Sequence, residues 1–231
     1  VLITDAVVMT AAGETLDPGH VLLEDGKIAE VSSESIDAPE GAKVIDADGR
    51  YVTPGLIDTH SHIGVYPAPM VPGHFDGNEA TSPNRAEVDG QDSVWPQDPG
   101  FGKALRGGVT ALQILPGSAN NFGGRTVTLE MHPGMSARAM HFDGAPDGLK
   151  MACGENPKRV YGQRGQMPST RMGTAAVFRR AFQDALETQR KYENYREDLA
   201  EWKSKPESKR DDRPTPPSRD LGTETLIGAM E

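Results

Sequence analysis

The chain lacks the features that mark nucleic-acid-binding, membrane-spanning and disulfide-rich proteins. Its 231 residues carry 24 lysines and arginines against 34 aspartates and glutamates, which gives a net charge of −10. An acidic chain whose basic residues form no stripe is poorly suited to bind nucleic acid or an anionic membrane surface. No apolar run reaches the ~20 residues of a membrane span, and we find no internal repeat and no glycine-rich phosphate-binding loop.

Cysteine is nearly absent as well. Cys153 is the only one, so no disulfide can form within the chain, and its apolar neighbours predict an inert thiol in a buried strand. The sequence begins at Val1 without methionine and shows no signal-peptide pattern, as expected if an N-terminal segment has been removed or left out. The cytoplasm is the default compartment, and the periplasm is the alternative if a removed signal directed export.

Short strands dominate the first 52 residues. Segments 21–24 and 27–31 flank Asp25-Gly26, a strong hairpin signal because a type I′ turn requires positive φ angles. Apolar and β-branched segments at 1–3, 6–9 and 44–47 predict further strands. We therefore predict a small antiparallel β-module that occupies residues 1–54.

The most informative segment follows this module. Residues 52–57 are mostly apolar and lead into Asp58-Thr59-His60-Ser61-His62. Residues two apart in a strand point to the same side, so Asp58, His60 and His62 are predicted to share one face. Neutral imidazole is the commonest metal ligand, and two imidazoles make half of a zinc-type site. Taken alone, the motif is equally compatible with a polar edge strand that carries two unrelated histidines.

Residues 54–62, Pro-Gly-Leu-Ile-Asp-Thr-His-Ser-His, and the Asp-Gly-Lys-Ile hairpin at 25–28 resemble the N-terminal part of the amidohydrolase superfamily. The subgroup that they most resemble is the imidazolonepropionase-like one. The resemblance implies an α/β fold in which a small β-sandwich module precedes a (β/α)8 TIM barrel. It also implies one or two divalent metal ions, zinc in particular, with His60 and His62 as ligands. Asp58 would then support an imidazole or the mouth of the barrel.

The resemblance implies a hydrolase that acts on a small molecule. A divalent ion lowers the pKa of bound water to about 7, and the resulting hydroxide would attack the carbonyl of an amide or cyclic amide and break its C–N bond. Two other functions stay open at this stage. One is a deaminase at the same metal site, and the other is a metal-free assembly protein, as in some dihydropyrimidinase-like relatives.

Residues 55–231 are too few for a complete barrel, which needs about 250 residues. Either the fold is smaller, or the chain holds the first half of a barrel. We predict the first half, because the helix, Gly-Gly and buried strand at 101–115 follow the order of a βα-barrel. A half barrel exposes sheet edges and apolar surface. We therefore expect the C-terminal half as a separate chain or fragment, and a homo-oligomer of the assembled enzyme.

Two stretches are predicted to form the walls of the site. The long Pro- and Gly-rich loop 64–100 starts where the histidine strand ends, and we predict that it forms a lid over the site. The apolar strand 109–115 suits a parallel sheet, and the loop after it carries Asn120 and Arg125. Loops at the carboxyl ends of barrel strands build active sites, so we predict that both residues bind substrate, Arg125 through a bidentate fork to a carboxylate. A structural arginine that pins the loop is an equal alternative.

Lys150 interrupts an apolar strand. Burying an ammonium group alone is costly, so this lysine must be paired, neutral or modified. Its placement resembles that of the strand lysine that binuclear amidohydrolases carboxylate with CO₂ to bridge two metals, which makes Lys150 a candidate third ligand. The alternative is an ion pair with Asp58 or Glu155.

The last part of the chain is predicted to be helical. Apolar residues at three- and four-residue spacing predict a long helix over 174–203 with Thr174 as N-cap, and the charged, proline-rich stretch 204–220 predicts a flexible connector. The family pattern requires two further histidines and a catalytic aspartate from later strands. None of the later histidines lies on such a strand, and we expect the aspartate beyond Glu231, so activity would require a C-terminal portion.

Overall fold

The N-terminal strands form a mixed five-stranded sheet in the structure, a computed structural model that describes residues 1–132, 134–146 and 148–231. The chain divides into two units, Val1–Leu56 and Ile57–Glu231, and the predicted boundary at 54/55 lies close to this division. The strands of the first unit are β1 Leu2–Met9, β2 Thr15–Glu24, β3 Lys27–Ser32, β4 Val44–Asp46 and β5 Tyr51–Val52.

The sheet of the first unit has the order β3-β2-β1-β4, and β5 also pairs with β1. β2 and β3 pair antiparallel around Asp25 and Gly26, whose φ angles of 49° and 74° are both positive. The predicted hairpin is therefore confirmed. β4 and β5 pair parallel with β1, so the prediction of a purely antiparallel module was wrong: the connection 33–43 returns the chain in the direction of β1. A second layer, as in a sandwich, stays a prediction.

The second unit combines short strands with helices. Its strands are β6 Leu56–Ser61, β7 Val109–Ile114, β8 Phe122–Arg125, β9 Val127–Glu130 and β10 Leu149–Met151, and its helices are α1 Pro99–Arg106, α2 Glu155–Gly162, α3 Arg171–Ser204 and α4 Leu221–Gly228. β6 begins one residue before the division between the units. Short 3-10 turns lie at Pro72–His74, Gly90–Ser93, Ala137–Met140 and Glu207–Lys209. The predicted lid 64–100 thus contains ordered turns.

The strands of the second unit place the histidine segment beside a buried strand. β7 lies between β6 and β9, and β8 pairs antiparallel with β10. β7 pairs antiparallel with β9, with Ile114 opposite Val127, so the parallel sheet predicted from the composition of β7 does not extend to this pair. On its other side β7 pairs with β6, and the Leu115 N–H donates to the Ser61 carbonyl where both strands end. The apolar run in β7 is buried as predicted: Leu112 and Ile114 lie with Leu129 in the main hydrophobic core.

Helix α3 is the longest element of the structure. It begins earlier than predicted, because the Thr170 hydroxyl caps it by accepting a hydrogen bond from the Gly173 N–H at 3.1 Å. Thr174 is buried in its first turn, so its assignment as N-cap was wrong. After the helix, the indole N–H of Trp202 donates to the Asp211 carbonyl at 2.7 Å. This part of the 204–220 connector therefore contacts the end of α3, and its flexibility stays a prediction.

Two further sequence expectations concern the burial of Cys153 and the presence of membrane-spanning helices. Cys153 is exposed, so the prediction of a buried strand cysteine was wrong: β10 ends at Met151, and Cys153 lies in the loop before α2. None of the helices in the described parts of the chain is both long and apolar enough to cross a membrane.

Candidate functional site

The two histidines of the motif meet at the end of β6. His60 lies near the end of the strand, and His62 follows it directly. Their ring centroids are 5.2 Å apart with the planes at 89°, as expected from the alternation of side chains along a strand. Asp58 accepts a hydrogen bond from the His60 backbone N–H at 3.0 Å. This carboxylate thus fixes the backbone at the strand end, and a contact with an imidazole stays a prediction.

The His62 ring is held in one tautomer by the neighbouring strand. Its Nδ1 lies 2.8 Å from the Leu115 carbonyl oxygen. A carbonyl can only accept, so Nδ1 carries the proton and donates, and Nε2 keeps a free lone pair. Metal-binding histidines commonly donate their second ring N–H in this way. The contact forms because the Leu115 N–H also donates to the Ser61 carbonyl, at 2.9 Å, which aligns the ends of β6 and β7.

The environment of His62 favours its neutral imidazole. Burial lowers its pKa below the ordinary value of 6.5, because a charged ring loses hydration there. The hydrogen bond to Leu115 opposes this shift, while the charges of Lys150 and then His60 lower the pKa further. The electrostatic effect of Lys150 on His62 shows that residues 88 positions apart in sequence lie close together in the fold.

Lys150 is buried in β10, with 7% of the residue exposed. Its partner in the pairing of β8 with β10 is Gly124. Within the described residues, the Lys150 ammonium group forms no ion pair or hydrogen bond. The alternative partners are engaged elsewhere: Glu155 binds Arg159 at 2.8 Å, and Asp58 accepts from the His60 backbone. Burial lowers the pKa of Lys150, so the neutral amine is favoured compared with a lysine in water.

Asp98 supports the turn after the histidines, and sequence analysis did not identify it. It is 4% exposed and caps α1 by accepting from the Gly100 N–H at 2.8 Å. The same carboxylate accepts from the Gly64 N–H at 2.9 Å and the Ala68 N–H at 3.2 Å. It thus joins the helix to the segment that follows His62. The Asp-Pro at 98–99 is a helix-start signal that could have pointed to the cap, but not to the two distant N–H groups.

We expect Asp98→Ala to destabilise the protein by on the order of 3 kcal/mol, because three backbone donors, of which that of Gly64 is buried, lose a charged acceptor. Asp98→Asn should destabilise it too. Both oxygens accept, Oδ1 from Gly100 and Ala68 and Oδ2 from Gly64, and an amide nitrogen cannot replace either. Thermal unfolding followed by circular dichroism measures the effect, with Asp143→Ala as control because that carboxylate is fully exposed. Equal unfolding midpoints for the Asp98 and Asp143 variants would contradict this role.

The chain is similar to two amidohydrolases and a dihydroorotase. No protein-family model matches the chain. Amidohydrolase tasK of Hapsidospora irregularis is 41% identical over 190 residues, which are 77% of this chain and 19% of that protein. A dihydroorotase of Anaeromyxobacter dehalogenans is 39% identical over 64 residues, 25% of this chain and 14% of the relative. A crystal structure of an amidohydrolase from Thermotoga maritima MSB8 has a TM-score of 0.81 and 37% identity, and the match covers 97% of this chain and 54% of that one.

These similarities support the amidohydrolase superfamily. An α/β fold that matches the Thermotoga amidohydrolase extends over 97% of the chain. The chain spans 19% of amidohydrolase tasK and 54% of the Thermotoga amidohydrolase, so it corresponds to only part of these proteins.

The described residues could provide part of the ligand set for an amidohydrolase metal ion. In the described ranges, no group of three or more His, Cys, Asp or Glu side chains is arranged to hold a metal ion. The free Nε2 of His62, the adjacent His60 and the unpaired buried amine of Lys150 do fit one side of such a site. The three predicted metal ligands are thus brought together, and their role as ligands stays a prediction.

Asn120 is buried in the loop after β7. It is 1% exposed, and its Nδ2 donates to the carbonyls of Glu79 at 2.7 Å and Ser82 at 2.9 Å. The side chain therefore ties the loop after β7 to the segment 79–82. A role of Asn120 in substrate binding stays a prediction, and no feature of the sequence indicated this anchoring role.

Arg125 lies at the end of β8 and pairs with Asp89 at 2.8 Å. In the pairing of β8 with β10, Arg125 lies opposite Leu149. Arg125, Leu149 and Met151 line a cavity of about 720 Å³ beside α4. Successive residues of a strand point to opposite faces, so this cavity lies on the other face of β10 from Lys150. The ion pair fits the structural alternative for Arg125, and a role in substrate binding stays a prediction.

Proposed function

We propose that the chain is the N-terminal portion of a metal-dependent amidohydrolase that hydrolyses an amide or cyclic amide C–N bond. The observation that carries the proposal is the adjacent pair His60 and His62, with the Nε2 of His62 left available by the Leu115 contact. The electrostatic effect of Lys150 on His62 supports its place in the same site. The similarity to an amidohydrolase and a dihydroorotase supports this reaction class. The imidazolonepropionase-like subgroup belongs to the same proposal and rests on residues 54–62 and the hairpin at 25–28.

His60 and His62 would hold a divalent ion, zinc in our proposal. His62 is prepared for this role because Leu115 holds its proton on Nδ1, and because burial lowers its pKa and so favours the neutral ring that binds a metal. When bound, the ion would lower the pKa of water to about 7 and polarise a carbonyl. Asp98 fixes the turn after the pair, which keeps the two rings in place.

Lys150 would be a bridging ligand in its carboxylated form. The neutral amine attacks the carbon of CO₂, forms an N–C bond and releases one proton, which leaves a carbamate with one negative charge. Burial favours this step, because it lowers the pKa of Lys150 and so increases the share of neutral amine. The carbamate would replace an unpaired buried cation by an anion that metal ions can neutralise.

The remaining ligands and the catalytic aspartate would come from a C-terminal half of the barrel, which we propose as a partner segment or chain. The match to 54% of the Thermotoga amidohydrolase supports this division. β6 is an edge strand among the described strands, and Ile57 on it is 67% exposed. An open edge with an exposed apolar residue is suited to strand pairing. The β-sandwich and the homo-oligomer stay proposals as well.

Hydrolysis by the complete protein tests the function. The purified protein, checked by denaturing mass spectrometry for a second fragment, would be offered dihydroorotate, hydantoins and open-chain amides with and without a chelator. We expect chelator-sensitive opening of at least one cyclic amide, restored by Zn²⁺, because the reaction needs the ion. Release of ammonia from an amino-substituted ring instead would show a deaminase. Metal-free protein with no hydrolysis under any condition would support the assembly role and end the proposal.

A further inference from the structure

Tyr66 packs against the His62 ring, which also contacts His60. The Tyr66 N–H donates to the His62 carbonyl at 3.0 Å, so the two residues occupy one tight turn. Their ring centroids are 5.5 Å apart with the planes at 77°, an edge-to-face contact of the kind that aromatic rings prefer. His62 therefore contacts two other rings, those of His60 and Tyr66, and rotation of its imidazole would disturb these contacts.

The space for the Tyr66 ring is kept open by two glycines. A Cβ atom at Gly77 would overlap the Tyr66 ring carbons, and one at Gly117 would overlap its hydroxyl oxygen. The two glycines are joined by a hydrogen bond of 2.6 Å from the Gly117 N–H to the Gly77 carbonyl. Any larger residue at either position would move the phenol ring or separate the two loops.

Asn78 fixes the end of the same ring. Its Nδ2 donates to the Tyr66 hydroxyl, and its Oδ1 accepts from the Ala119 N–H at 3.0 Å. The ring is also packed against Phe75, with centroids 4.9 Å apart. The lid segment 75–78 and the loop after β7 thus meet on Tyr66.

We propose that Tyr66 is a positioning residue for His62, held in place by Gly77, Asn78 and Gly117; we call these four residues the tyrosine clasp. The inference deepens the proposed function and rests on it for its consequence in metal binding. The clasp limits the imidazole to the orientation in which Nδ1 reaches the Leu115 carbonyl and Nε2 stays available. It acts through His62 and does not itself bind the ion.

The first test uses metal-free full-length protein with ¹⁵N-labelled histidine. The two ring nitrogens of His62, assigned with His62→Gln, should show separate protonated and unprotonated shifts in the wild type and in Tyr66→Phe, which keeps the ring. Tyr66→Leu and Gly117→Ala should move these shifts toward the average of the two tautomers. Gly73→Ala is the matched control, because a Cβ there meets nothing within 4 Å. Wild-type shifts in folded Tyr66→Leu or Gly117→Ala would overturn the proposal.

The second test measures Zn²⁺ affinity by competition with a chromophoric chelator. Tyr66→Leu and Gly117→Ala should each bind Zn²⁺ about 10- to 100-fold more weakly, the usual effect of losing a group that orients a ligand. Tyr66→Phe and Gly73→Ala should stay within a few-fold of wild type. Unchanged affinity in both disruptive variants would overturn the proposal. Wild-type protein that binds no Zn²⁺ would instead contradict the proposed function, while the nitrogen shifts still decide whether the clasp orients His62.

Discussion

His62→Ala is expected to reduce Zn²⁺ affinity by about 100-fold and to abolish hydrolysis at ordinary metal concentrations. A four-ligand zinc site contributes roughly 10–16 kcal/mol of apparent binding free energy, so one ligand contributes about 3 kcal/mol, or about two orders of magnitude in affinity. The loss should be large here because Nε2 is the lone pair that the Leu115 contact keeps free. His60→Ala should behave in the same way, because the two rings are adjacent.

Metal content by atomic spectroscopy and hydrolysis rates of the complete protein measure this effect. His141→Ala is the control: its ring makes only a 3.5 Å contact with an exposed aspartate, so metal content and rate should match wild type. Thermal unfolding of the metal-free variants shows whether folding is retained. Wild-type metal content in folded His60→Ala and His62→Ala would end the metal proposal.

Lys150→Met is expected to make the metal-free protein more stable while it abolishes hydrolysis. The substitution replaces a buried, unpaired amine with an apolar side chain of similar length, which should stabilise the fold by about 1 kcal/mol or more. For a chain of this size that raises the unfolding midpoint by roughly 2–4 °C per kcal/mol. Activity should be lost because methionine cannot form a carbamate. Lys27→Met, on an exposed position of β3, should change neither property.

The gain in stability should depend on pH in a defined direction. Burial lowers the pKa of Lys150 below the value of about 10.4 in an unfolded chain, so the unfolded state binds more protons between these two values. The destabilisation caused by the charged Lys150 is therefore complete at pH values below its folded pKa, and it disappears as the pH rises toward 10.4. The advantage of Lys150→Met should be greatest near neutral pH and shrink in alkaline buffer. An advantage that grows with pH would show that Lys150 is stabilised by a partner instead.

Carbamate formation has its own signature. Protein equilibrated with ¹³C-bicarbonate should show one additional carbonyl resonance that is absent from Lys150→Met. If wild-type protein that still binds metal lacks this resonance, the bridging role of Lys150 is contradicted, and the proposed histidine ligands are unaffected.

Several features of this protein could be predicted from local sequence. The hairpin at Asp25-Gly26, helix α1 and strand β7 follow from turn chemistry, capping and apolar runs, which act between neighbouring residues. The adjacency of His60 and His62 follows from the two-residue repeat of a strand. The buried position of Lys150 within an apolar strand was also evident from its neighbours.

Other features depended on long-range contacts. Single-residue patterns could not show that β7 pairs antiparallel with β9, because a buried strand is apolar in either sheet type. Asn120 and Arg125 were predicted to bind substrate, which stays a prediction, and the sequence did not show that they contact the carbonyls of residues 79 and 82 and the carboxylate of Asp89. Their partners lie 36 to 41 positions away, and no local spacing encodes such pairs.

The sequence by itself determined the histidine pair and the family resemblance, because both reside in consecutive residues that one strand displays. Only the tertiary structure brought Lys150 to His62, set the His62 tautomer through Leu115, and enclosed Tyr66 between Gly77 and Gly117. Each of these contacts joins segments that are distant in the chain. Their geometry is decided by how the strands and loops pack, since side-chain orientation and burial exist only after that packing has formed.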